Sequence, residues 1–546
     1  MGAVDIQTMT FDKVSIESMS GKYTNYPVVY FLNNDTTVYI GETVAVKNRM
    51  KDHLNNQERK ALNKMSVIMH EKFNRSATYN IETKLINYFL ADERYKLQNK
   101  SQTVKSVTHN YYEKEFFDDK LFKDIWNELL KKKIVDHSQQ AIENKDIFKL
   151  SPFKEMSIEQ LELQHEIIRV CKEHINDEKT FVFMVKGEAG VGKSVVLSSV
   201  FNKIQELAKE KEGELAGTDN YLLVNHSEML KTYKKIAGNV KVLSKKNFEK
   251  PTTFINKRKK MGKKADIVLV DEAHLLLTKS DSYNNFNENN QLEEIIRHSK
   301  VAIVVFDDKQ VLKMKSYWDE EKLRSIVKDY GKKDYILTNQ FRIQASNNMV
   351  NWIDRFVEKK ILPMPIEEKY DFRIFDSAAA MYEVVKEQNR KHGLARIVST
   401  FDYIHKKDGD TYYVEEDGFK LPWNNDYGNL TWAEKPETIR EVGSIYTIQG
   451  FDLNFVGVIL GPSIGYDKQT DTLKIIPENY KDTEAFRGRN EYDNSEEIME
   501  KIILNSLNVL MKRGIHGLYL FAHDPELRAR LLEMDNNRFP WVKSIE

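Results

Sequence analysis

The stretch FVFMVKGEAGVGKSVVLSSVFNKI constrains this chain more than any other. An apolar, β-branched run (181–185) leads into Gly187-Glu-Ala-Gly190-Val-Gly192-Lys193-Ser194, and an apolar helical stretch follows. G-x-x-x-x-G-K-S between a strand and a helix is the phosphate-binding loop. Gly187, Gly190 and Gly192 let backbone N–H groups curl around phosphate oxygens, and the helix N-terminus adds partial positive charge. Lys193 is expected to reach the β- and γ-phosphates and Ser194 to ligate Mg²⁺.

Further strand-like runs recur between helical stretches: YLLV (221–224), DIVLV (266–270), VAIVVF (301–306), YILT (335–338), RIVST (396–400) and VGVILG (456–461). Short β-branched runs alternating with helices indicate a parallel sheet covered on both faces. The set is too long for one doubly wound sheet. The expectation is therefore α/β with two P-loop lobes, over 151–335 and 336–546. The run 266–270 ends in Asp271-Glu272-Ala273-His274. A carboxylate at a neighbouring strand tip holds Mg²⁺ in such folds, which suits Asp271. Glu272 is then the candidate general base for water. His274 either couples nucleotide state to a polymer site or is structural. The next run ends in Asp307-Asp308-Lys309-Gln310, where Gln310 is placed to sense the γ-phosphate.

At 546 residues the chain has room for about three domains. Its formal net charge is zero, so any polyanion site must come from local clustering. Residues 231–264 supply such a cluster, with thirteen Lys or Arg against one acid, Glu249. Phosphates neutralised there release counterions, so binding would weaken with salt. The single cysteine, Cys171, excludes an internal disulfide and a multi-cysteine zinc cage. There is no apolar run near 18 residues and no basic-then-apolar leader, so a cytoplasmic protein off the membrane is expected.

The order of these motifs resembles superfamily 1 helicases, and within them the Schlafen-like DNA/RNA helicases of bacteria and phages, over about residues 151–535. SPFKEMSIEQ looks like that family's adenine-reading Q motif, which makes Gln160 the base contact. VNHSEML (224–230) and PTTFIN (251–256) look like its nucleic-acid motifs Ia and Ib. LTNQFR (337–342) resembles motif IV, and EVGSIYTIQGFD (441–452) resembles motif V, with Thr447, Gln449 and Gly450 at the interlobe face. NVLMKRGIHGLYLF (508–521) resembles motif VI, with Lys512-Arg513 where many relatives carry Thr-Arg. The resemblance implies ATP, Mg²⁺, DNA or RNA, and arginine fingers at Arg342 and Arg513. A cationic fork from the opposite lobe contributes about 10³–10⁵ in rate in related enzymes.

Residues 1–105 form a smaller α/β unit, and 106–150 a charged, helical segment that is either packing or a spacer. PVVYFL (27–32), NNDT and TVYIG (37–41) read as a hairpin. With 33–36 as the loop, Tyr30 lies opposite Tyr39 on one face. Arg49 and His53 follow one helical turn apart, then Glu82 on a further helix and Asn99 beyond it. This constellation resembles the GIY-YIG nucleases: Val28-Val29-Tyr30 is a degenerate first motif, and Tyr39-Ile40-Gly41 a complete second one. The resemblance implies that Tyr30 or Tyr39 activates water, His53 helps, Arg49 holds the scissile phosphate, Glu82 binds one Mg²⁺ or Mn²⁺, and Asn99 completes the site.

The expected protein is an ATP-driven nucleic-acid motor joined to a metal-dependent endonuclease, in a setting such as anti-phage defence or mobile-element processing. An ATP-gated nucleic-acid sensor with an inactive nuclease domain is the alternative. A small-molecule P-loop kinase would leave motifs IV to VI and the lysine-rich segment unexplained.

Overall fold

The computed structural model describes residues 4–19, 21–99, 111–187, 190–282, 285–318, 320–338, 345–406, 408–425, 432–448 and 451–535. Arg342, Gln449 and Gly450 lie outside the described residues.

Three larger sheets organise the molecule. The first has the order Asp5–Thr10, Lys64–Met69, Val28–Asn33, Thr37–Thr43, Lys96–Leu97, antiparallel except for its last pair. Helix Arg75–Asp92 covers one face. Its buried residues run right round the helix, because a second layer closes over its outer side. That layer is helix Phe122–Lys131, whose Phe122 and Trp126 rings lie 4.7 and 5.1 Å from Tyr88. Residues 111–150 are therefore packing, not a spacer. A continuous apolar core runs from the first sheet through these helices into the next sheet.

The hairpin differs in register from the sequence expectation. Tyr30 pairs with Gly41, and Tyr39 with Leu32. The turn is set by Asn34, whose Oδ1 accepts from the N–H groups of Thr36 (2.9 Å) and Thr37 (2.8 Å). This Asx turn moves the pairing by two residues. A two-residue shift preserves the face, so the tyrosine rings still meet as diagonal neighbours, 6.3 Å apart.

The second sheet is six-stranded and wholly parallel: Gly331–Leu337, Phe181–Gly187, Ser299–Phe306, Ala265–Asp271, Asn220–Val224, Phe248–Glu249. Three adjacent strands thus end at the phosphate loop, at Asp307 and at Asp271. Crevices beyond carboxyl strand ends are where such sheets bind ligands. Strand Gly331–Leu337 runs two residues past the division expected at 335 because it hydrogen-bonds along the full length of Phe181–Gly187.

The third sheet is also parallel: Asp371–Ile374, Gly514–Ala522, Leu453–Leu460, Ala395–Ser399, Val442–Gly443. Its strand Gly514–Ala522 begins directly after Arg513, so the opening of that strand aims the arginine. These two parallel sheets, flanked by helices, have the form of two RecA-like lobes. Among the described residues no helix is long and apolar enough to cross a membrane.

Candidate nucleotide cleft and N-terminal tyrosine site

A cavity of about 1030 Å³ opens where the two parallel-sheet lobes meet. Gly190, Gly192, Lys193 and Ser194 line one side with Glu272 and Gln310, and Phe451 and Arg513 of the second lobe line the other. The Lys193 ammonium is buried, donating to the Gly187 carbonyl (2.6 Å) and pairing with Asp307 Oδ2 (2.9 Å). Asp307 Oδ2 also accepts from Gln310 Nε2 at 2.6 Å, so one carboxylate oxygen holds both side chains. Gly190 and Gly192 have φ of 91° and 81°, the left-handed backbone that brings loop N–H groups inward.

Asp271 ends its strand almost wholly buried. Its Oδ1 accepts from the Ser194 hydroxyl (3.3 Å) and the Glu272 N–H (3.0 Å), and its Oδ2 from Tyr233 (2.8 Å). Burial, then the adjacent Glu272 charge, raise the Asp271 carboxyl above its ordinary range. Glu272 moves the other way. Burial opposes its charge, but His274, Lys193 and Arg513 outweigh that and hold it ionised. Glu272 also takes a left-handed backbone (φ 51°), strain of about 1–3 kcal/mol that clusters at working sites. His274 is fully buried with Nε2 3.0 Å from Glu272 Oε2, so its immediate partner is the general-base candidate. Arg513, buried, donates from Nη1 to the Phe451 carbonyl (3.3 Å). Its neighbour Lys512 pairs with Asp354 at 2.7 Å.

Gln160 borders this cavity, with both ends of its amide engaged. Its Oε1 accepts from the Ser157 N–H (3.0 Å), closing a capping box, and its Nε2 donates to the Val191 carbonyl (3.2 Å). It therefore holds the phosphate loop to the helix Ile158–His174. Thr447 exchanges hydrogen bonds with the Ser444 backbone at 2.9 Å. Mg²⁺ and a triphosphate suit this cleft. Hydroxyl and carboxylate oxygens converge at 3.3 Å beside an inward ammonium, and the cavity continues past them to a cation from the other lobe.

The lysine-rich segment is more neutralised than its composition implies. Arg258 is fully buried and pairs with Asp219 (2.6 Å); Lys257 pairs with Glu249 (2.9 Å), and Lys259 with Glu288. A second cavity, about 630 Å³, lies along helix Pro251–Met261. It is lined by Asn225, Lys250, Thr252, Thr253, Asn256 and Lys260, donors suited to a phosphate backbone.

In the N-terminal unit, Arg49 and His53 on helix Val46–Asn55 converge on Tyr30. The Tyr30 hydroxyl lies 2.7 Å from His53 Nε2 and accepts from Arg49 Nε at 3.2 Å. Burial, then the charges of Arg49 and Arg59, push His53 down to about 4, so its ring is neutral near pH 7 and its Nε2 can accept a hydrogen bond from the Tyr30 hydroxyl. Burial, then Tyr39, push the Tyr30 phenol far above its ordinary value. Tyr39 meets the His53 ring edge-on at 5.0 Å and lies beneath the Arg59 guanidinium, 3.8 Å away. Gly41 is required by close approach: a Cβ there would sit 2.4 Å from the Tyr30 hydroxyl. Glu82 is half-buried, and its charge reaches Tyr30. Among the described residues no group of three His, Cys, Asp or Glu side chains is placed to hold a metal. One carboxylate completed by substrate oxygens and water is nevertheless an ordinary Mg²⁺ environment, so Glu82 fits that role. Asn99 grips the backbone instead: its Oδ1 accepts from the Ile40 N–H (3.1 Å) and its Nδ2 donates to the Ile40 carbonyl (2.8 Å).

Residues 180–524 match the family model described as Schlafen group 3, DNA/RNA helicase domain. The chain belongs to that family. Schlafen group 3 membership makes it a helicase-type NTPase of superfamily 1, with a nucleic-acid partner. An uncharacterized protein of Saccharomyces cerevisiae, YPL245W, is 43% identical over 411 residues, 69% of this chain and 90% of that protein. That relative comes from a yeast, and it lends no support to the bacterial or phage setting expected for the Schlafen-like chain. The Pif1 helicase from Candida albicans aligns with 72% of this chain and 99% of its own, at 12% identity and a TM-score of 0.28.

Two residues of the cleft escaped the sequence reading. Asp307 follows directly on the apolar run VAIVVF, and a carboxylate at a strand end is the one sequence signal it offers. Tyr233 carries no sequence signal at all.

Proposed function

We propose that this Schlafen group 3 chain is an ATP-dependent nucleic-acid translocase or helicase whose N-terminal domain cuts the same polymer. One observation carries the motor reading: Arg513 of the second lobe lines the same cavity as the phosphate loop and Glu272. Lys193 leaves Asp307 for the phosphate oxygens, Glu272 orients and deprotonates water, and Arg513 neutralises charge on the transferring phosphoryl as the lobes close. Mg²⁺, held by Ser194 and Asp271, would supply electrostatic stabilisation of the phosphate oxygens when bound. Arg342 is the second finger proposed from the motif order.

Support for cutting is the Tyr30–His53–Arg49 arrangement. Arg49 is open to solvent and can grip a phosphate while its Nε fixes Tyr30. With His53 neutral, the Tyr30 hydroxyl donates to its Nε2 and stays a neutral phenol whose oxygen orients the attacking water, and the water's proton leaves to solvent. Tyr39, stacked beneath Arg59, shapes the mouth of the site. Glu82 would hold the single divalent cation that stabilises the departing oxygen. The domain shares a core with the first lobe, so the nuclease is rigidly docked on the motor and its reach is fixed.

Purified protein incubated with labelled single-stranded, duplex and branched DNA and RNA, with ATP and Mg²⁺ varied separately, tests both halves. Strand displacement that requires ATP turnover supports the motor. Nucleic-acid binding without displacement assigns an ATP-gated clamp instead. Mg²⁺-dependent fragments that persist without ATP support the nuclease.

A further inference from the structure

The cation-holding carboxylate of the cleft has a partner outside every recognised motif. Tyr233 lies mid-way along helix Ser227–Asn239 and is completely buried. Its hydroxyl donates to Asp271 Oδ2 at 2.8 Å and lies 3.4 Å from the Ser194 carbonyl. The other carboxylate oxygen, Oδ1, is met by the Ser194 hydroxyl and the Glu272 N–H. Each of those donors belongs to the phosphate loop or the hydrolysis strand. Ser194 must also turn toward Mg²⁺ when nucleotide arrives. Tyr233 is then the side chain that still fixes the plane of the Asp271 carboxylate.

The ring is held for that purpose. Tyr233 stacks on Phe248 at 5.8 Å and 18°, and Phe248 meets Phe201 edge-on at 5.0 Å. Phe201 is on helix Lys193–Ala208, the helix that carries Lys193 and Ser194. The hydroxyl is thus referenced to the same helix that presents the phosphate loop. Partners of a metal-binding carboxylate that orient it in this way commonly contribute 10–100-fold to metal affinity.

We infer that Tyr233 is a positioning residue: through its hydrogen bond to Asp271 it sets the affinity of the nucleotide cleft for Mg²⁺, and not the affinity for nucleotide itself. The inference rests on the nucleotide reading proposed above.

The test uses full-length protein and the conservative variant Tyr233→Phe, which keeps the ring and its stack and removes only the donor. Binding of fluorescent N-methylanthraniloyl-ADP is measured in EDTA and across a Mg²⁺ titration, beside the Mg²⁺ dependence of ATP hydrolysis. Tyr233→Phe should bind the labelled ADP in EDTA as wild type does. Its half-saturating Mg²⁺, in both binding and hydrolysis, should rise about tenfold or more. The ATP KM at saturating Mg²⁺ should stay within about twofold, because the phosphate-loop contacts are intact. Phe248→Leu loosens the stack and leaves the donor, so it serves as the packing control. Equal loss of binding with and without Mg²⁺ in Tyr233→Phe, or a fall in Tm that matches Phe248→Leu with no change in Mg²⁺ dependence, makes Tyr233 a packing residue and overturns the inference. Wild-type protein that binds no labelled ADP under either condition overturns the nucleotide reading itself, an outcome visible before any variant is compared.

Discussion

The nucleotide cleft and the N-terminal tyrosine site are built in opposite ways. In the cleft, most of the machinery comes from two short contiguous runs, 187–194 and 271–274, placed side by side by adjacent parallel strands. In the N-terminal unit the groups come from four separate elements: Tyr30 and Tyr39 from paired strands, Arg49 and His53 from one helix, Glu82 from another. The cleft is therefore robust to small errors of register, because backbone N–H groups of one loop do much of the binding. The tyrosine site depends on its packing. A single hairpin turn fixes which residue faces Gly41, and a wrong Cβ at that glycine would collide with the central hydroxyl.

The sharpest way to break this contrast is Lys193→Ala. ATP hydrolysis should fall by about 10³-fold or more, while Mg²⁺-dependent cutting remains measurable. Hydrolysis that survives would remove the phosphate-loop assignment. Its mirror image is Glu82→Ala, expected to lower cutting by about 10²-fold or more with the ATPase unchanged; unaltered fragment yield takes Glu82 out of the site. Glu272→Gln comes next, binding nucleotide normally but turning over about 10²–10⁴-fold more slowly. Normal turnover there would reassign the base.

Two smaller effects separate packing from chemistry in the tyrosine site. Asn99→Ala removes two buried hydrogen bonds to Ile40 and should destabilise the protein by about 1–3 kcal/mol, read by denaturant titration. The variant that remains folded should cut at close to the wild-type rate; a large loss in kcat with no loss of stability would return Asn99 to the chemistry. His53 gives a pH signature. Its pKa falls from 6.5 in the unfolded chain to about 4 in the native one. Between those values the unfolded state binds the extra proton, so this contribution to stability is complete above 6.5 and is lost as pH drops toward 4. His53→Gln should flatten that part of the stability–pH curve, and an unchanged curve would show that the imidazole is not buried neutral.

Legibility followed the same division. Lys193, Ser194, Asp271 and Glu272 are legible from spacing alone; Lys193, Ser194 and Glu272 line one cavity, and Asp271 lies behind them against the Ser194 hydroxyl. The strands behind them were readable because strands buried on both faces are continuous apolar runs. Strand Gly514–Ala522 was absorbed into a motif and not recognised as a strand, since GIHGLYLFA opens with two glycines and a histidine. In the N-terminal unit the shared face of the two tyrosines was legible because side chains alternate along a strand, whereas their pairing was not, because it depends on the turn made by Asn34. The lysine-rich segment was legible as charge, but its ion pairs with Asp219 and Glu288 join residues distant in sequence.

What the sequence determined by itself was the chemistry available: a phosphate loop, a hydrolysis strand, and a set of tyrosine, arginine and carboxylate groups, all written as local patterns that sterics and backbone geometry enforce. What only the tertiary structure decided was which groups share one oxygen or one proton. Asp307 holding Lys193, Tyr233 bonding Asp271, His53 facing Tyr30, and the N-terminal unit joined to the first lobe through one core all follow from long-range packing. Hydrogen bonds act over about 3 Å, and no pattern within a single element records a partner that close from elsewhere in the chain.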